Sequence, residues 1–458
     1  MGGIHGPEAG SAQAEGPGMN VKRWLLLSFM AVPLGVLGYF MSGTIFILLI
    51  FGGICYAIYR NTATGDRDFV IITLVTGFAV RAILAVALHA YFYTKGFYSI
   101  SGDDLLYTTR AWALVYEWEG KPYGWALEII SRTKTYGLNP FTYILAAFFK
   151  IFGYHPVASK LINCIIGSLI GWMAYMTAKE MFGRKTAMIS MAVTTFYPSL
   201  IRWSVANLKD PFTTCLFICC MYILIKFIHG GAKIYHAVLF FICLLLQYFF
   251  VQILFFFLII GMAIIALAVR SIGRIKRRTI IIGLASILLL ASAAGAYYLC
   301  VIKPAYLIDF LYMCEEKQIG VAGFDRAGYK IFPGHFLQEL SRGHVPVSDM
   351  LLILSRSVSL FMLAPFPWAI SSLSQVPAVP QLILWYALLV MAVFGFIHLM
   401  LSRPSDAVLI GIMLAAGIIT ISLVEGNVGA AFRHRDIFAP FIIILASAAI
   451  VDMRRGAT

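Results

Sequence analysis

Residues 69–93 read FVIITLVTGFAVRAILAVALHAYFY, twenty-five positions with a single fixed charge, Arg81. As an α-helix this run is about 37 Å long at 1.5 Å per residue, enough to cross a hydrocarbon core of about 30 Å. Comparable runs occupy 24–40, 43–59, 157–178, 186–206, 211–227, 279–299, 379–401, 406–424 and 435–451. Residues 235–269 form one longer apolar stretch, which fits two compact helices turning near Gln247 to Gln252. The expectation is an all-α, polytopic helical membrane protein with about twelve spans, because only helices satisfy every backbone group within one apolar segment.

Composition agrees. Of 458 residues, 61% are hydrophobic and only 12% charged, and the mean hydropathy is +0.87. Soluble domains are roughly half apolar and about a quarter charged, so a soluble fold is excluded. The net charge of +14 is carried mainly by short breaks between apolar runs. That is the pattern of cytoplasmic loops rather than of a nucleic-acid-binding module, and no nucleic-acid partner is expected. Most of the eight cysteines fall in apolar runs as small hydrophobes, and Cys300 with Cys314 would be the pair available for a disulfide.

The organisation follows from charge. Residues 1–20 read as a flexible tail. Segments 94–139 and 300–349 are long and mixed in charge, unlike the short basic breaks. With a cytoplasmic N-terminus, counting spans puts both long loops outside. The breaks at Arg60 and Arg67, Arg184-Lys185, Lys226 and Lys233, Arg270–Arg278, Arg403 and Arg454-Arg455 then fall inside. This count needs residues 139–152 to be an interfacial helix, too short for a span. It also needs 350–370, with its breaker Ala364-Pro365-Phe366-Pro367, to be an outer or re-entrant element. Two transmembrane modules result: 21–230, carrying the outer loop 94–139, and 231–458, carrying the outer loop 300–349.

Chemistry concentrates where spans meet the outer face. Ser101-Gly102-Asp103-Asp104-Leu105-Leu106-Tyr107 opens an amphipathic helix, with two carboxylates that read either as a helix cap or as a base facing a lipid-linked substrate. Lys209-Asp210-Pro211 begins the next outer-to-inner span and reads both as an ordinary helix start and as a site element. Arg202, about two turns earlier, is placed to pair with Asp210 or a lipid head group. Glu425-Gly426-Asn427 leads to Arg433-His434-Arg435, where two arginines around a histidine can grip a phosphate and Glu425 can orient them. Arg81 is expected to face the bundle interior and find a partner. His155, His229, His236, His335, His344 and His398 are read as separate surface or packing residues. No spacing demands a metal or other cofactor, and there is no P-loop or dinucleotide fingerprint. The Phe-rich run 249–257 is available to line a lateral groove between helices.

The run of a span, an outer loop opening with Gly-Asp-Asp, and an interfacial helix resembles the GT-C polytopic glycosyltransferases. Within them it is most similar to glycosyltransferase family 39, the protein-O-mannosyltransferase-like branch. Asn139-Pro140-Phe141-Thr142-Tyr143 resembles that family's His-Pro-Pro-Leu-Tyr stretch, with Asn139 and Phe141 in place of the His and the second Pro. Phe152-Gly153 with Lys160-Leu161, then Phe182-Gly183-Arg184-Lys185, then Tyr197-Pro198-Ser199 with Lys209-Asp210 continue the likeness over residues 69–230. The Glu425 to Arg435 stretch resembles members that build bacterial surface polysaccharide.

The resemblance implies a GT-C-type fold in a bacterial cytoplasmic membrane. It implies a sugar transferred from a polyprenyl-phosphate donor to a lipid or glycan acceptor at the outer face. Asp103 would be the general base, Asp104 would support it or bind the sugar, and Asp210 would be a further catalytic carboxylate. Tyr107, Arg202, Lys209, Glu425, Asn427, Arg433, His434 and Arg435 would bind substrate. Two other readings stand beside this one: a polymerase or ligase moving a whole glycan from a polyprenyl-pyrophosphate carrier, and a transporter of lipid-linked glycans.

Overall fold

The structure, a computed structural model, describes residues 42–95, 101–121, 124–135, 139–251, 258, 304–322, 328–342, 347–369 and 379–456. Among these, the regular elements are helices, and the only extended pairing is an isolated bridge between Gly328 and Asn427. In chain order the N-terminal helices are α1 Ser42–Asn61, α2 Arg67–Thr94, α3 Gly102–Trp118, α4 Gly124–Thr135, α5 Pro140–Phe152, α6 Pro156–Phe182, α7 Arg184–Phe196, α8 Pro198–Ser204, α9 Asp210–Ile228 and α10 Ile234–Phe250. The rest are α11 Pro304–Ala322, α12 Phe336–Ser341, α13 Val347–Leu363, α14 Val379–Ser402, α15 Pro404–Val424, α16 Val428–His434 and α17 Ala439–Gly456.

The chain is an all-α, multi-pass integral membrane protein. Six described helices are long and apolar enough to cross a membrane: α1, α2 with the short turn before it, α6, α9, α14 and α15. The pair Val428–Ile437 and Ala439–Arg454, bent by 61°, is apolar enough to be either a broken seventh span or a re-entrant loop. This is fewer than the expected twelve; the runs 24–40 and 279–299 lie outside the described residues. The run 186–206 is also corrected. It is two helices, α7 and α8, parted at Tyr197, because Pro198 has no N–H to give and its ring excludes a continuous helix. α5 has the expected interfacial length of 13 residues, burying Phe141, Leu145 and Phe149 while Ile144 and Ile151 stay exposed. α10 stops at Phe250, and Val251 is extended; beyond it, most of the 249–257 run lies outside the described residues.

Two helices form the core. Most of α6 is buried, and every residue from Arg435 to Ala449 is buried along α17. A helix apolar all round belongs inside a bundle. Glycine allows the closest approaches: a methyl on Gly171 would overlap the Thr195 side chain, and one on Gly395 would overlap the Leu445 carbonyl. Arg81 is fully buried on α2. It donates from Nε to Ser204 Oγ at 2.8 Å and from Nη1 to the Gly77 carbonyl at 3.0 Å.

The ends of α6 define two polar faces. Lys160 near its start meets Asp104. Lys179 near its end meets Asp66 at 2.6 Å. The nineteen helical steps from Lys160 to Lys179 span about 28 Å, close to the thickness of a hydrocarbon core. At the Asp66 end, Arg184 also pairs with Asp66, and the basic breaks collect there. The broken α7–α8 pair still carries the chain across, from Arg184 beside Asp66 to Asn207 beside Asp104.

His229 at this end is no isolated packing residue, which corrects the sequence reading. Its Nδ1 lies 3.0 Å from Glu180 and its Nε2 2.9 Å from Asp406. Lys226 pairs with the same Glu180 at 2.6 Å, and Arg403 approaches His229 Nε2 at 3.5 Å. The hydrogen bond to Asp406 holds the imidazole above its ordinary value, against the opposing effect of burial. A histidine raised in the folded state stabilises fully below its unfolded value of about 6.5, and that contribution is lost as pH rises through the folded value. The melting temperature of His229→Gln in detergent should therefore fall furthest below wild type near pH 6 and converge on it at alkaline pH. A deficit independent of pH would mean that His229 acts here by packing alone.

Candidate active site on the Asp103 face

α3 begins at Ser101, whose hydroxyl accepts from the Asp104 backbone N–H at 3.2 Å. Serine is thus the cap, where the sequence reading had assigned capping to aspartate, and both carboxylates occupy the first turn. There, negative charge interacts favourably with the helix dipole. Successive helical residues point about 100° apart. Asp103 accordingly lies at the surface and Asp104 inside the protein.

Asp104 is fully buried. It pairs with Lys160 Nζ at 3.1 Å, both side chains being 1% exposed, and accepts from the Asn207 backbone N–H at 3.0 Å. The Asn207 amide nitrogen donates to Thr108 Oγ1 at 3.0 Å and Ser159 Oγ at 2.9 Å. This network ties α3 to α6 and to the turn before α9. Asp104 thus lies buried behind Asp103, tied to Lys160 and Asn207. Lys160 and Asn207 went unassigned from sequence, although an ionisable residue four positions into an apolar run was a legible signal.

Asp103 forms an ion pair with Arg433 Nη1. The Nε of the same guanidinium lies 3.6 Å from Asp210 and, among the described residues, makes no hydrogen bond. α3, α9 and α16 thus bring two carboxylates to one arginine. Beside them is a cavity of about 340 Å³ bordered by Lys209, Asp210, Glu425, Arg433 and His434, with Ile421 and Val424 on its apolar side. Lys209 Nζ reaches the Phe250 carbonyl at 3.5 Å. His434 Nδ1 lies 2.6 Å from Glu425 Oε2. The Tyr107 hydroxyl accepts from Asn139 at 3.2 Å. Burial, then the charges of Asp210 and Asp103, push its phenol well above the ordinary value.

The remaining predicted ligands fall elsewhere. Asn427 caps α16, its Oδ1 accepting from Gly429 N at 2.7 Å and Ala430 N at 3.3 Å. Arg435 is fully buried. It donates to the Ala364 carbonyl at 2.8 Å and lies 4.1 Å from the Phe432 ring centroid. Arg433 borders the cavity described above, whereas Arg435 is turned into the protein interior. Arg202 is exposed over the Trp203 ring at 4.8 Å and is not paired with Asp210. Cys314 is buried and free; Cys300 lies outside the described residues.

Part of the second long loop closes over the site. The Tyr329 backbone N–H donates to the Gly426 carbonyl at 2.8 Å. Leu311, Cys314, Phe332 and Phe336 form a small core that packs on Leu423 and Val424. Burial and the nearby Glu425 charge push the Tyr329 phenol upward. Among the described residues no group of three or more His, Cys, Asp or Glu could hold a metal ion.

Residues 140–297, about a third of the chain, match the family described as Dolichyl-phosphate-mannose-protein mannosyltransferase. The match includes Lys160, Asn207 and Asp210 but neither Asp103 nor Arg433. No curated protein sequence matches the chain. Two solved structures are similar in shape. One is the Archaeoglobus fulgidus oligosaccharyltransferase in its apo form, at 14% identity and a TM-score of 0.44, covering 84% of this chain and 51% of that one. The other is the archaeal oligosaccharyltransferase AglB from Archaeoglobus fulgidus in complex with an inhibitory peptide and a dolichol-phosphate, at 13% identity and a TM-score of 0.44, covering 84% and 50%. The chain thus spans about half the length of the solved structures it matches.

Proposed function

We propose that this protein is a GT-C-type membrane glycosyltransferase that moves a sugar from a polyprenyl-phosphate donor to a hydroxyl of a lipid or glycan acceptor. The observation that carries this reading is the Arg433 guanidinium shared between Asp103 and Asp210 at the edge of a cavity. A sugar hydroxyl needs a base as it attacks C1, and Asp103 is the exposed carboxylate that can take its proton. The leaving phosphate needs cations, and Arg433 and Lys209 border the cavity. The apolar side at Ile421 and Val424 suits a prenyl chain entering from the bilayer. The mannosyltransferase family match over 140–297 supports the same class. The basic Asp66 face is cytoplasmic in this reading, and transfer occurs on the opposite side.

Arg433 pairs with Asp103 and covers it. A donor phosphate competes for that guanidinium, so donor binding uncovers the base. Asp210 keeps the arginine in place through the exchange.

Purified protein in proteoliposomes should release sugar from a polyprenyl-phosphate donor. Arg433→Gln should raise the donor KM about 30-fold, the ratio that corresponds to roughly 2 kcal/mol for losing one partner of a desolvated charge pair. Turnover with a polyprenyl-pyrophosphate glycan alone would replace this reading with the polymerase or ligase. Tight glycan-lipid binding without turnover would replace it with the transporter.

A further inference from the structure

Glu425 and His434 form a second acid–base pair in the same cavity. Glu425 follows α15 in extended conformation and is 3% exposed. Its Oε2 takes Nδ1 of His434, while its Oε1 is buried without a hydrogen bond among the described residues. A carboxylate at Nδ1 requires the proton there, which leaves Nε2 as the second position. No described residue bonds that Nε2. The groups facing the pair from other elements are Lys209 and Asp210 of α9 and Tyr329 of the second loop; Arg433 is on its own helix.

Charge explains why a proton is wanted here. Asp103, Asp210 and Glu425 give the site three carboxylates, against Arg433, Lys209 and His434. A departing phosphate monoester, with a second ionisation near pH 6, adds nearly two more negative charges. We propose that His434, oriented by Glu425, donates a proton through Nε2 to the departing lipid phosphate. This role rests on the lipid-phosphate reading of the site. The C1–O bond of the donor breaks and its electron pair stays on the phosphate oxygen. The acceptor oxygen bonds to C1 and its proton passes to Asp103. The His434 proton passes to a non-bridging phosphate oxygen. The products are the glycoside and the singly charged lipid phosphate, and both side chains then recover their starting states through water. His434 is the catalytic residue and Glu425 its positioning residue.

The test is the pH dependence of kcat with a polyprenyl-phosphate sugar. Wild type should lose turnover at alkaline pH, where the proton to be transferred is gone. His434→Gln keeps a hydrogen-bond donor but no transferable proton, so kcat should drop about 100-fold and the alkaline fall should vanish. Glu425→Gln keeps the contact with Nδ1 and should move the alkaline fall to lower pH with donor KM unchanged. A wild-type alkaline limb retained in both variants, or a change confined to KM, would overturn the proton transfer while leaving the glycosyltransferase standing. No transfer by wild type would overturn the reading of the site and this role with it.

Discussion

Asp103→Asn should lower kcat about 100-fold or more while the donor binds more tightly than to wild type. The loss is that of a general base, typically 10² to 10⁴ in rate. The gain has a separate origin. The Asp103 side chain is 45% exposed and competes with the donor phosphate for Arg433. Removing its charge removes the competitor, and Asp210 still holds the guanidinium. The two effects are read separately, turnover in proteoliposomes and equilibrium binding of a polyprenyl-phosphate sugar. A helix-capping role for Asp103 predicts something else: lower thermal stability, with turnover per folded molecule unchanged.

Lys160→Met should cost about 3–5 kcal/mol of stability, because it leaves the Asp104 carboxylate buried without its cation. Both side chains are 1% exposed, so solvent cannot replace the lost charge. Adding Asp104→Asn to the same protein should recover most of the loss, since the amide oxygen can still accept from Asn207 and no charge remains. Equal destabilisation in the single and double variants would show that packing of the lysine stem, not charge, holds this joint. Where Lys160→Met remains folded, kcat should fall with little change in donor KM, because the first turn of α3 loses the anchor behind Asp103.

The membrane-crossing helices were legible because hydropathy needs only local sequence. α5 was legible as a helix too short to cross because the apolar run ends after 13 residues. The meeting of Asp103, Asp210 and Arg433 followed from counting spans, which assigned their three turns to one face. What escaped was direction. Asp103-Asp104 and Arg433-Arg435 were each read as acting together, yet helical geometry turns Asp104 and Arg435 inward. That was deducible; which member of each pair faces the cavity was not, since it depends on packing against α6 and the segment at Ala364. The His229 cluster escaped for another reason. Its partners lie 49 and 177 residues away, and no local spacing announces such a meeting. Tyr197-Pro198 shows how hydropathy alone joins what proline divides.

Asp103 and Arg433 are separated by 330 residues of chain. At ribosomal rates of about 5–20 residues per second, the carboxylate is made on the order of 15–70 s before its cation. During that interval α3 can dock on α6 through Lys160, which follows it closely in sequence, but no phosphate site exists. In the proposed role a half-made protein is catalytically silent, because Asp103 and Asp210 still lack the cation they share. The cluster itself is completed in one step, when the last bent segment folds and Arg433 meets both acids.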